Sequence, residues 1–369
     1  MPPLNVLIKP ASGSCNLSCR YCFYDDETER RSIKSYGIMP IETLDTIIKK
    51  GMAYAERTAV FGFQGGEPTL AGLDFFKAVV ALEKKYNAKR LKISNSIQTN
   101  GVVIDDVWAS FLHNEDFLTG VSLDGFQALH DTHRLDHAGS GSFYRVMRGI
   151  EALKKHEARF NILTVVTADT ARYPEKLYRF FKKNDLLYQQ YIPCLDPLEA
   201  TRGSHGHSLR PSQYASFFTS LFDLWYDDVV NGRFIYIRYF ENLFGIICGH
   251  PPEHCGMSGS CVIQNVIEAD GSVFPCDFYA TDAYYLGNLI DADFHEIAER
   301  NRAAEFIIAS KTQDITCVHC QWFTVCRGGC RRDRDVDGNL QLNYFCDAFK
   351  QFFSHAVPKL INLRRIKRM

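Results

Sequence analysis

Three cysteines near the N-terminus have the spacing of ligands to an inorganic cluster. Cys15, Cys19 and Cys22 lie in the run C-N-L-S-C-R-Y-C, which has the pattern C-x-x-x-C-x-x-C. A structural zinc ion takes four ligands, and a closed 4Fe–4S cluster takes four thiolates. Three thiolates on a four-iron cluster therefore leave one iron open to bind another molecule. A zinc site without its fourth ligand is the alternative for the same residues.

Eight more cysteines crowd the last part of the chain. They are Cys255, Cys261, Cys276, Cys317, Cys320, Cys326, Cys330 and Cys346. Cys261 and Cys276 enclose the pattern C-x9-G-x4-C, with Gly271 as the glycine, and the next four cysteines follow C-x2-C-x5-C-x3-C. Eight thiolates suit two fully ligated 4Fe–4S clusters, and on ligand count alone they suit two structural zinc sites equally well. Cys194 and Cys248 are interpreted as buried thiols.

The composition is that of an ordinary globular protein. The 369 residues are 46% hydrophobic and carry a net charge of −1, so about two domains are expected. The charge gives no electrostatic reason to expect binding to nucleic acid or to an acidic membrane surface. No segment has the pattern of a secretory signal or of a membrane span, which predicts a cytoplasmic location. There, thirteen cysteines indicate metal or redox chemistry rather than disulfides.

Strand-like runs alternate six times with amphipathic helical patterns before residue 236. The expected strands are 5–9, 59–64, 90–98, 119–123, 160–167 and 188–192. The expected helices are 40–56, 73–86, 103–112, 142–156, 174–184 and 211–230. This alternation predicts an α/β fold with a parallel sheet, and six units match a partial (β/α)6 TIM-like barrel. We expect this domain to span 1–235 and a cysteine-rich domain to span 236–369.

Glycine-rich and polar clusters follow the expected strands. The cysteine triad follows the first strand, and Gly65, Gly66 and Glu67 follow the second. Further clusters follow the third, fourth and sixth strands, at 99–101, 122–125 and 193–195. In parallel α/β folds the ligand site lies outside the carboxyl ends of the strands. The two glycines would let the backbone approach a ligand closely, and Glu67 would add an acceptor.

These motifs resemble those of the radical S-adenosylmethionine enzymes, and the later cysteines resemble their SPASM extension. Within that superfamily the chain is similar to the anaerobic sulfatase-maturating enzymes. The likeness runs through C-N-L-S-C-R-Y-C-F-Y, F-Q-G-G-E-P-T-L, Q-T-N-G, S-L-D-G…H-D…R and C-R-G-G-C-R-R-D. It implies oxidation of one cysteine or serine in a sulfatase to Cα-formylglycine, started by a 5′-deoxyadenosyl radical that abstracts a Cβ hydrogen. The implied cofactors are three 4Fe–4S clusters and S-adenosylmethionine.

The resemblance also assigns residues to these cofactors. Cys15, Cys19 and Cys22 would hold the cluster whose open iron binds S-adenosylmethionine. The residues that would contact S-adenosylmethionine are Tyr21, Gly65, Gly66, Glu67, Ser122, Arg134 and Leu195. The cysteines that would hold the first auxiliary cluster are Cys255, Cys261, Cys276 and Cys330. Those that would hold the second are Cys317, Cys320, Cys326 and Cys346.

The oxidation requires a base, because a free cysteine has a pKa near about 8.5 and a serine hydroxyl is a far weaker acid. Asp277 follows Cys276, and the negative charge of a four-thiolate cluster should raise the pKa of this carboxyl. The alternative role for Asp277 is a hydrogen bond to the cluster. Tyr24 and Gln64 are candidates to hold the substrate peptide. His130, His133 and His137 are interpreted as surface histidines beside the binding rim, rather than as metal ligands.

The expected partners are a sulfatase segment of the type C/S-x-P-x-R and a low-potential electron donor such as ferredoxin or flavodoxin, and the chain is expected to be a monomer. One rival is another SPASM maturase that forms a thioether or carbon–carbon crosslink in a ribosomal peptide. Such enzymes often carry an N-terminal leader-binding domain, and only fourteen residues precede Cys15, which disfavours that rival. A rival of a different class is a non-catalytic iron–sulfur electron carrier. Formation of 5′-deoxyadenosine would separate an enzyme from a carrier.

Overall fold

The computed structural model describes residues 3–336 and 339–366 of the chain. Its strands are β1 (Leu4–Ile8), β2 (Leu17–Cys19), β3 (Thr58–Phe63), β4 (Lys92–Thr99), β5 (Leu118–Ser122), β6 (Arg134–Asp136), β7 (Phe160–Val166), β8 (Tyr188–Pro193), β9 (Tyr236–Ile237), β10 (Val266–Ile267), β11 (Ser272–Phe274), β12 (Gly287–Asn288), β13 (Asp335–Val336) and β14 (Asn339–Leu340). Its α-helices are α1 (Phe23–Glu29), α2 (Ile41–Tyr54), α3 (Leu73–Tyr86), α4 (Asp106–Asn114), α5 (Gln127–His133), α6 (Phe143–Lys155), α7 (Pro174–Lys183), α8 (Pro211–Val230), α9 (Arg238–Ile247), α10 (Phe294–Glu299), α11 (Asn301–Ser310), α12 (Ile315–Val318), α13 (Phe323–Cys326) and α14 (Cys346–Ile366). The expected alternation of strands and helices is confirmed, and so is the α/β class.

The chain folds as two compact units whose segments alternate along the sequence. The first unit comprises Met1–Leu123, His130–Phe160 and Val262–Phe306. The second unit comprises Asp124–Leu129, Asn161–Cys261 and Ile307–Met369. The boundaries of these units differ from the expected division after residue 235. That division follows from sequence motifs and stays a prediction.

The first unit is built on a mostly parallel sheet. Strand β3 pairs in parallel with β1 on one side and with β4 on the other, and β5 follows β4. Strand β10 pairs in parallel with the free side of β1, with Leu7 opposite Val266, and β11 and β12 continue antiparallel from it. The alternating pattern did not predict these three additions, because each is only two or three residues long.

The helices of the first unit bury one apolar face each. In α2 the buried positions include Leu44, Ile47 and Ile48, spaced three or four residues apart as an amphipathic helix requires. Pro40 immediately precedes the first turn of α2. Its missing N–H costs no hydrogen bond there, because the first N–H groups of a helix have no partner within the helix. Across residues 3–336 and 339–366, no helix has both the length and the apolar character needed to cross a bilayer.

The second unit contains three parallel strands and an aromatic helical core. Strand β8 pairs in parallel with β7 and with β9. Phe218, Phe222, Phe240 and Phe352 come from α8, α9 and α14, and their ring centroids lie 5.4–5.8 Å apart. Aromatic rings bury large apolar areas, so these contacts fix how the three helices pack.

One buried carboxyl in α3 leads to a testable pH dependence. Glu83 is 4% exposed; Asn95 Nδ2 donates to its Oε2 at 2.9 Å, and Oε1 has no partner. Burial raises the pKa of Glu83 to about 7. This pKa lies above that of the same carboxyl in the unfolded chain. The stability that the protonated carboxyl contributes in acid is therefore lost as the pH rises towards and through 7. Glu83→Gln should therefore stabilise the protein at pH 8.5 by about 2 kcal/mol, and by less at pH 6.

The measurement is the melting temperature of both proteins between pH 6 and pH 8.5. The advantage of the variant should grow with pH. Glu151→Gln removes a carboxylate that is 65% exposed and is the matched control, for which no such trend is expected. A constant difference between Glu83→Gln and the parent protein would contradict this account of the Glu83 carboxyl.

Candidate functional site

The loop of the first three cysteines is held by a small antiparallel ladder. It contains β2, which pairs with β6 so that Leu17 lies opposite Asp136 and Cys19 opposite Arg134. Within the loop, the Leu17 N–H lies 3.4 Å from Cys15 Sγ, and Cys22 N donates to the Cys19 carbonyl at 3.0 Å. These contacts help to hold the backbone of the loop in one conformation.

The thiols of this loop have the chemistry that iron requires. Burial raises the pKa of Cys15 to about 11 and that of Cys22 to about 12, and the charge of Cys19 acts in the same direction on both. Such thiols are neutral at pH 7 unless a cation lies beside them, and a coordinating metal deprotonates them. Three neighbouring thiols thus suit a cluster. Among the described residues, no three His, Cys, Asp or Glu side chains are arranged to hold a single metal ion.

The glycine pair after β3 packs directly on the cysteine loop. Gly66 has φ of +55°, and a Cβ at this position would lie 2.2 Å from the carbonyl oxygen of Ser14. The next residue, Glu67, donates its N–H to the same oxygen at 2.8 Å. Only glycine combines this backbone conformation with so close an approach, so the turn and the cysteine loop form one packed layer.

Glu67 is a structural centre of this layer. It is buried, and its Oε1 accepts hydrogen bonds from the hydroxyls of Thr69 and Thr99, each at 2.7 Å. Its Oε2 accepts from the Asn100 N–H at 2.7 Å. Burial raises the pKa of this carboxyl, and the hydrogen bonds oppose that rise. The side chain therefore ties the end of β3 to the end of β4, and a contact with a cofactor stays a prediction.

The other residues assigned to S-adenosylmethionine lie in both units. In the first unit, the Arg134 guanidinium lies 5.5 Å from the centroid of the Tyr21 ring, and Gln98 Nε2 donates to Ser122 Oγ at 3.2 Å. Leu195 belongs to the second unit and follows β8 by two residues. Their roles with the cofactor stay predictions.

The interpretation of the histidines was wrong for two of the three. His130 is completely buried, with Nε2 2.9 Å from Ser142 Oγ, and His133 is also buried. His137 is exposed as expected, with its ring within hydrogen-bond distance of the Cys15 carbonyl. The prediction followed the commoner case of surface histidines beside a binding rim, whereas the rings of His130 and His133 are buried here.

Three residues predicted from the sequence meet around one carboxylate. The Tyr24 hydroxyl donates to Asp277 Oδ2 at 2.7 Å, and Gln64 Nε2 donates to the same oxygen at 2.8 Å. Gln64 Nε2 also lies 3.0 Å from the Tyr24 hydroxyl oxygen. The other oxygen, Asp277 Oδ1, is buried and has no hydrogen-bond partner among the residues that the structure describes. Both donors thus bind the same oxygen of the carboxylate.

Electrostatics suit Asp277 to proton transfer. Burial raises the pKa of the Asp277 carboxyl, while the charge of Lys9 and the hydrogen bonds from Tyr24 and Gln64 oppose the rise. The pKa of Asp277 is therefore raised, as expected, and burial of the carboxyl is sufficient to raise it without the charge of a cluster. Burial and the Asp277 charge also raise the pKa of Tyr24, so this hydroxyl remains a donor at neutral pH.

Sequence reasoning missed a buried ionic network beside this carboxylate. Lys9 Nζ lies 3.1 Å from Glu268 Oε1 and 3.4 Å from Glu27 Oε2, and Arg31 also forms an ion pair with Glu268. All four side chains are buried. The four residues are scattered over most of the chain, and the only local sign was a lysine at the end of an apolar strand.

The later cysteines form two groups in the second unit. Cys317, Cys320, Cys326 and Cys346 line one pocket with Trp322. Burial raises the pKa of the Cys330 thiol, and the charges of Asp333, Cys255 and Cys261 act in the same direction. Burial raises the pKa of Cys326 to about 11, as it does for Cys15. Cys276 belongs to the first unit, and the assignments of these cysteines to clusters stay predictions.

Comparisons with known proteins extend over the whole chain. Residues 10–181 match the radical SAM superfamily, and residues 258–321 match the SPASM iron–sulfur cluster-binding domain. A cysteine-type anaerobic sulfatase-maturating enzyme of Clostridium perfringens (strain 13 / Type A) is 48% identical over 98% of this chain and 99% of its own length. A serine-type enzyme of Bacteroides thetaiotaomicron is 32% identical over 96% and 90%. The solved structure of native anSMEcpe with bound AdoMet and Cp18Cys peptide has 47% identity and a TM-score of 0.94, over 98% of this chain and 99% of that chain.

The packing of Gly66 gives a test of the first cluster site. Gly66→Ala would force the turn away from Ser14 and disturb the cysteine loop, so iron at Cys15, Cys19 and Cys22 should be lost while the later cysteines keep theirs. Iron analysis of the reconstituted protein should fall from about twelve to about eight atoms per chain.

Gly72→Ala is the matched control for backbone strain. Gly72 also has a positive φ, +83°, but nothing lies within 4 Å of a Cβ placed there. This variant should keep about twelve irons per chain. Equal iron in the Gly66→Ala and Gly72→Ala proteins would show that the contact with Ser14 does not support the cluster.

Proposed function

Since the chain belongs to the anaerobic sulfatase-maturating enzymes of the radical S-adenosylmethionine superfamily, we propose that it oxidises one cysteine of a sulfatase polypeptide to Cα-formylglycine. The observation that supports the chemistry most directly is the buried Asp277 carboxylate, whose Oδ2 is held by Tyr24 and Gln64 while Oδ1 has no partner. Cysteine is proposed over serine because the cysteine-type relative is 48% identical and the serine-type relative 32%.

The cofactors of the enzyme are S-adenosylmethionine and three 4Fe–4S clusters. When bound, they supply the radical that removes a hydrogen atom from the substrate Cβ and an acceptor for the second electron. Cys15, Cys19 and Cys22 would hold the first cluster, and their neighbouring neutral thiols fit that role. The eight later cysteines would hold the other two, in the sets named above. Gly65, Gly66 and Arg134 would contribute to the S-adenosylmethionine site with Tyr21, Glu67, Ser122 and Leu195.

Asp277 would act as the base of the oxidation. The substrate loses one hydrogen atom from Cβ, one proton from sulfur and one further electron, which together convert the thiol into a thioaldehyde. Addition of water then releases hydrogen sulfide and leaves the aldehyde. Oδ1 of Asp277 is the oxygen free to take the sulfur proton, and the raised pKa of the carboxyl favours its protonation.

Tyr24 and Gln64 would orient this base. Two donors on Oδ2 hold the plane of the carboxylate, which directs Oδ1 away from them. The same side chains were expected to hold the substrate peptide, and contact with both the base and the peptide would place the target cysteine beside Oδ1. Positioning of this kind lowers the barrier by removing the search for a reactive geometry.

The remaining partners are proposed on more general grounds. The segment of the sulfatase would be of the type C-x-P-x-R, and reduction of the first cluster would need a low-potential donor such as ferredoxin or flavodoxin. Iron–sulfur potentials extend down to about −700 mV, which is why a donor of low potential is needed. We also propose that the enzyme acts as a monomer in the cytoplasm, where thiol-rich proteins stay reduced.

A peptide assay tests the proposed function. The reconstituted enzyme is incubated with dithionite, S-adenosylmethionine and a C-x-P-x-R peptide. The mass of the peptide should change by replacement of the cysteine sulfur with an aldehyde oxygen, and hydrogen sulfide should appear in equal amount. A peptide with alanine in place of the cysteine is the control and should remain unchanged.

The other outcomes identify the rival functions. An internal crosslink in the peptide would indicate a different SPASM maturase. Reduced clusters with no 5′-deoxyadenosine under any condition would indicate an electron carrier. Either result would contradict sulfatase maturation.

Asp277→Asn separates radical formation from proton removal. The variant should still form 5′-deoxyadenosine, because the change does not touch the proposed contacts of S-adenosylmethionine. Aldehyde formation should fall by about a hundredfold or more, because an amide cannot take the thiol proton. Asp291→Asn, which removes an exposed carboxylate, is the control and should behave as the parent. Full aldehyde formation by Asp277→Asn would refute the base.

A further inference from the structure

Lys9 is the most unusual side chain of the first unit outside the proposed site. It is 0% exposed, and both of its carboxylate partners, Glu27 and Glu268, are equally enclosed. Fully buried lysines are rare, because removing an ammonium from water costs several kcal/mol unless close partners compensate. A residue kept at that cost has either a structural or a catalytic use.

The contacts of the Lys9 ammonium indicate the role of this residue. Lys9 Nζ lies 4.6 Å from the centroid of the Tyr24 ring, within the range of a cation–π interaction. The hydroxyl of the same ring donates to Asp277 Oδ2 at 2.7 Å. The charge of Lys9 also attracts the Asp277 carboxylate. Lys9 therefore contacts the ring whose hydroxyl holds the Asp277 carboxylate.

The glycine-rich turn makes room for this lysine. A Cβ at Gly65 would lie 2.5 Å from Lys9 Cε and 2.7 Å from its Cγ. The stem of Lys9 therefore occupies the space that any other residue at position 65 would fill. It is held between this turn and the carboxylates of Glu27 and Glu268, and it has little freedom to turn away from Tyr24.

The ionic partners hold the ammonium in place. Glu268 accepts from both Lys9 and Arg31, and Glu27 lies 3.4 Å from Lys9 Nζ and 3.7 Å from an Arg31 nitrogen. Two cations thus face two carboxylates. Arg31 also donates to the Ala280 carbonyl, which joins this group to the segment that follows Asp277.

From these contacts we infer that Lys9 is a positioning residue for the oxidation, which holds the Tyr24 ring so that its hydroxyl orients the Asp277 carboxylate towards the substrate. The inference rests on the proposed function, because it assigns Lys9 to the same catalytic centre. It adds a residue that would act through Tyr24 rather than on the substrate directly. Gly65 acquires a second use as well, since it provides the space for the lysine.

The test compares Lys9→Met with the parent holoenzyme. Methionine keeps the length of the stem and removes the charge. The kcat of aldehyde formation should fall by about tenfold to a hundredfold, as expected for a misplaced catalytic group, while the KM for the peptide changes little. Formation of 5′-deoxyadenosine should continue, so its ratio to the aldehyde should rise. Lys77→Met, at a side chain that is 57% exposed, is the control.

A double-mutant cycle with Tyr24→Phe tests the route. If Lys9 acts through the Tyr24 hydroxyl, the double variant should be about as impaired as Tyr24→Phe alone, because the two changes remove one interaction. If the activity of the double variant fell by a factor equal to the product of the two single losses, the residues would have independent roles and the proposal would be overturned. A fully active Tyr24→Phe enzyme beside an impaired Lys9→Met enzyme would overturn it too.

A charge-balanced variant covers the case in which Lys9→Met does not fold. Lys9→Met/Glu27→Gln removes one cation and one carboxylate together, and it is compared with Glu27→Gln. With full iron content, it should show the same loss of kcat and the same excess of 5′-deoxyadenosine. Activity equal to that of Glu27→Gln would overturn the proposal. Loss of iron in both Lys9 variants would assign the lysine to folding alone and would overturn it as well.

The parent enzyme separates this inference from the proposed function. If the parent forms no aldehyde from the C-x-P-x-R peptide, the proposed function itself fails. If the parent forms aldehyde and the Lys9 variants do so equally well, only the inference about Lys9 fails.

Discussion

A buried charge must be neutralised where it lies, and in the first unit this requirement holds distant segments together. Arg31 pairs with Glu268, 237 residues away, and Lys9 pairs with the same carboxylate from the end of β1. Water cannot stabilise any of these charges, so each one depends on the presence of the others. The segment around β10 and β11 is consequently attached to β1 by ion pairs as well as by the backbone hydrogen bonds of the sheet. Asp277 belongs to that segment, and its position depends on this attachment.

This arrangement resolves a conflict at Asp277. A base must be desolvated enough for its proton affinity to rise, yet a buried carboxylate without partners would not keep a fixed orientation. The protein gives both donors, Tyr24 and Gln64, to Oδ2 and none to Oδ1. The positive charge of Lys9 limits the rise in pKa that burial causes. Among the described residues, the hydrogen bonds to this carboxylate are thus all made to one oxygen, which leaves the other for the proposed proton transfer.

The sequence predicted those parts of the fold and site that depend on local spacing. The C-x-x-x-C-x-x-C loop, the glycine pair and the six alternating strand and helix patterns are each contained in a short stretch, and the helices at Leu73–Tyr86 and Pro211–Val230 have the expected ends. Tyr24, Gln64 and Asp277 were singled out because they adjoin such motifs. The ionic network was missed because Glu268 pairs with Lys9 and Arg31 from far along the chain, and no local pattern encodes such pairing. The burial of His130 and His133 was missed for a related reason, since the direction of α5 is set by tertiary packing.

The glycine pair shows why a short motif can be so restrictive. Gly66 must be glycine because the backbone of the cysteine loop occupies the place of its Cβ. Gly65 must be glycine because the stem of Lys9 occupies the space where a Cβ at position 65 would lie. The two residues are adjacent, so a shift of the turn that relieved one contact would tighten or break the other. Through this turn, the loop that would carry the cluster and the lysine that supports Tyr24 are packed against the same few backbone atoms. The proposed cluster site and the proposed base would therefore be held together within the first unit, as an oxidation that takes a hydrogen atom and a proton from one side chain requires.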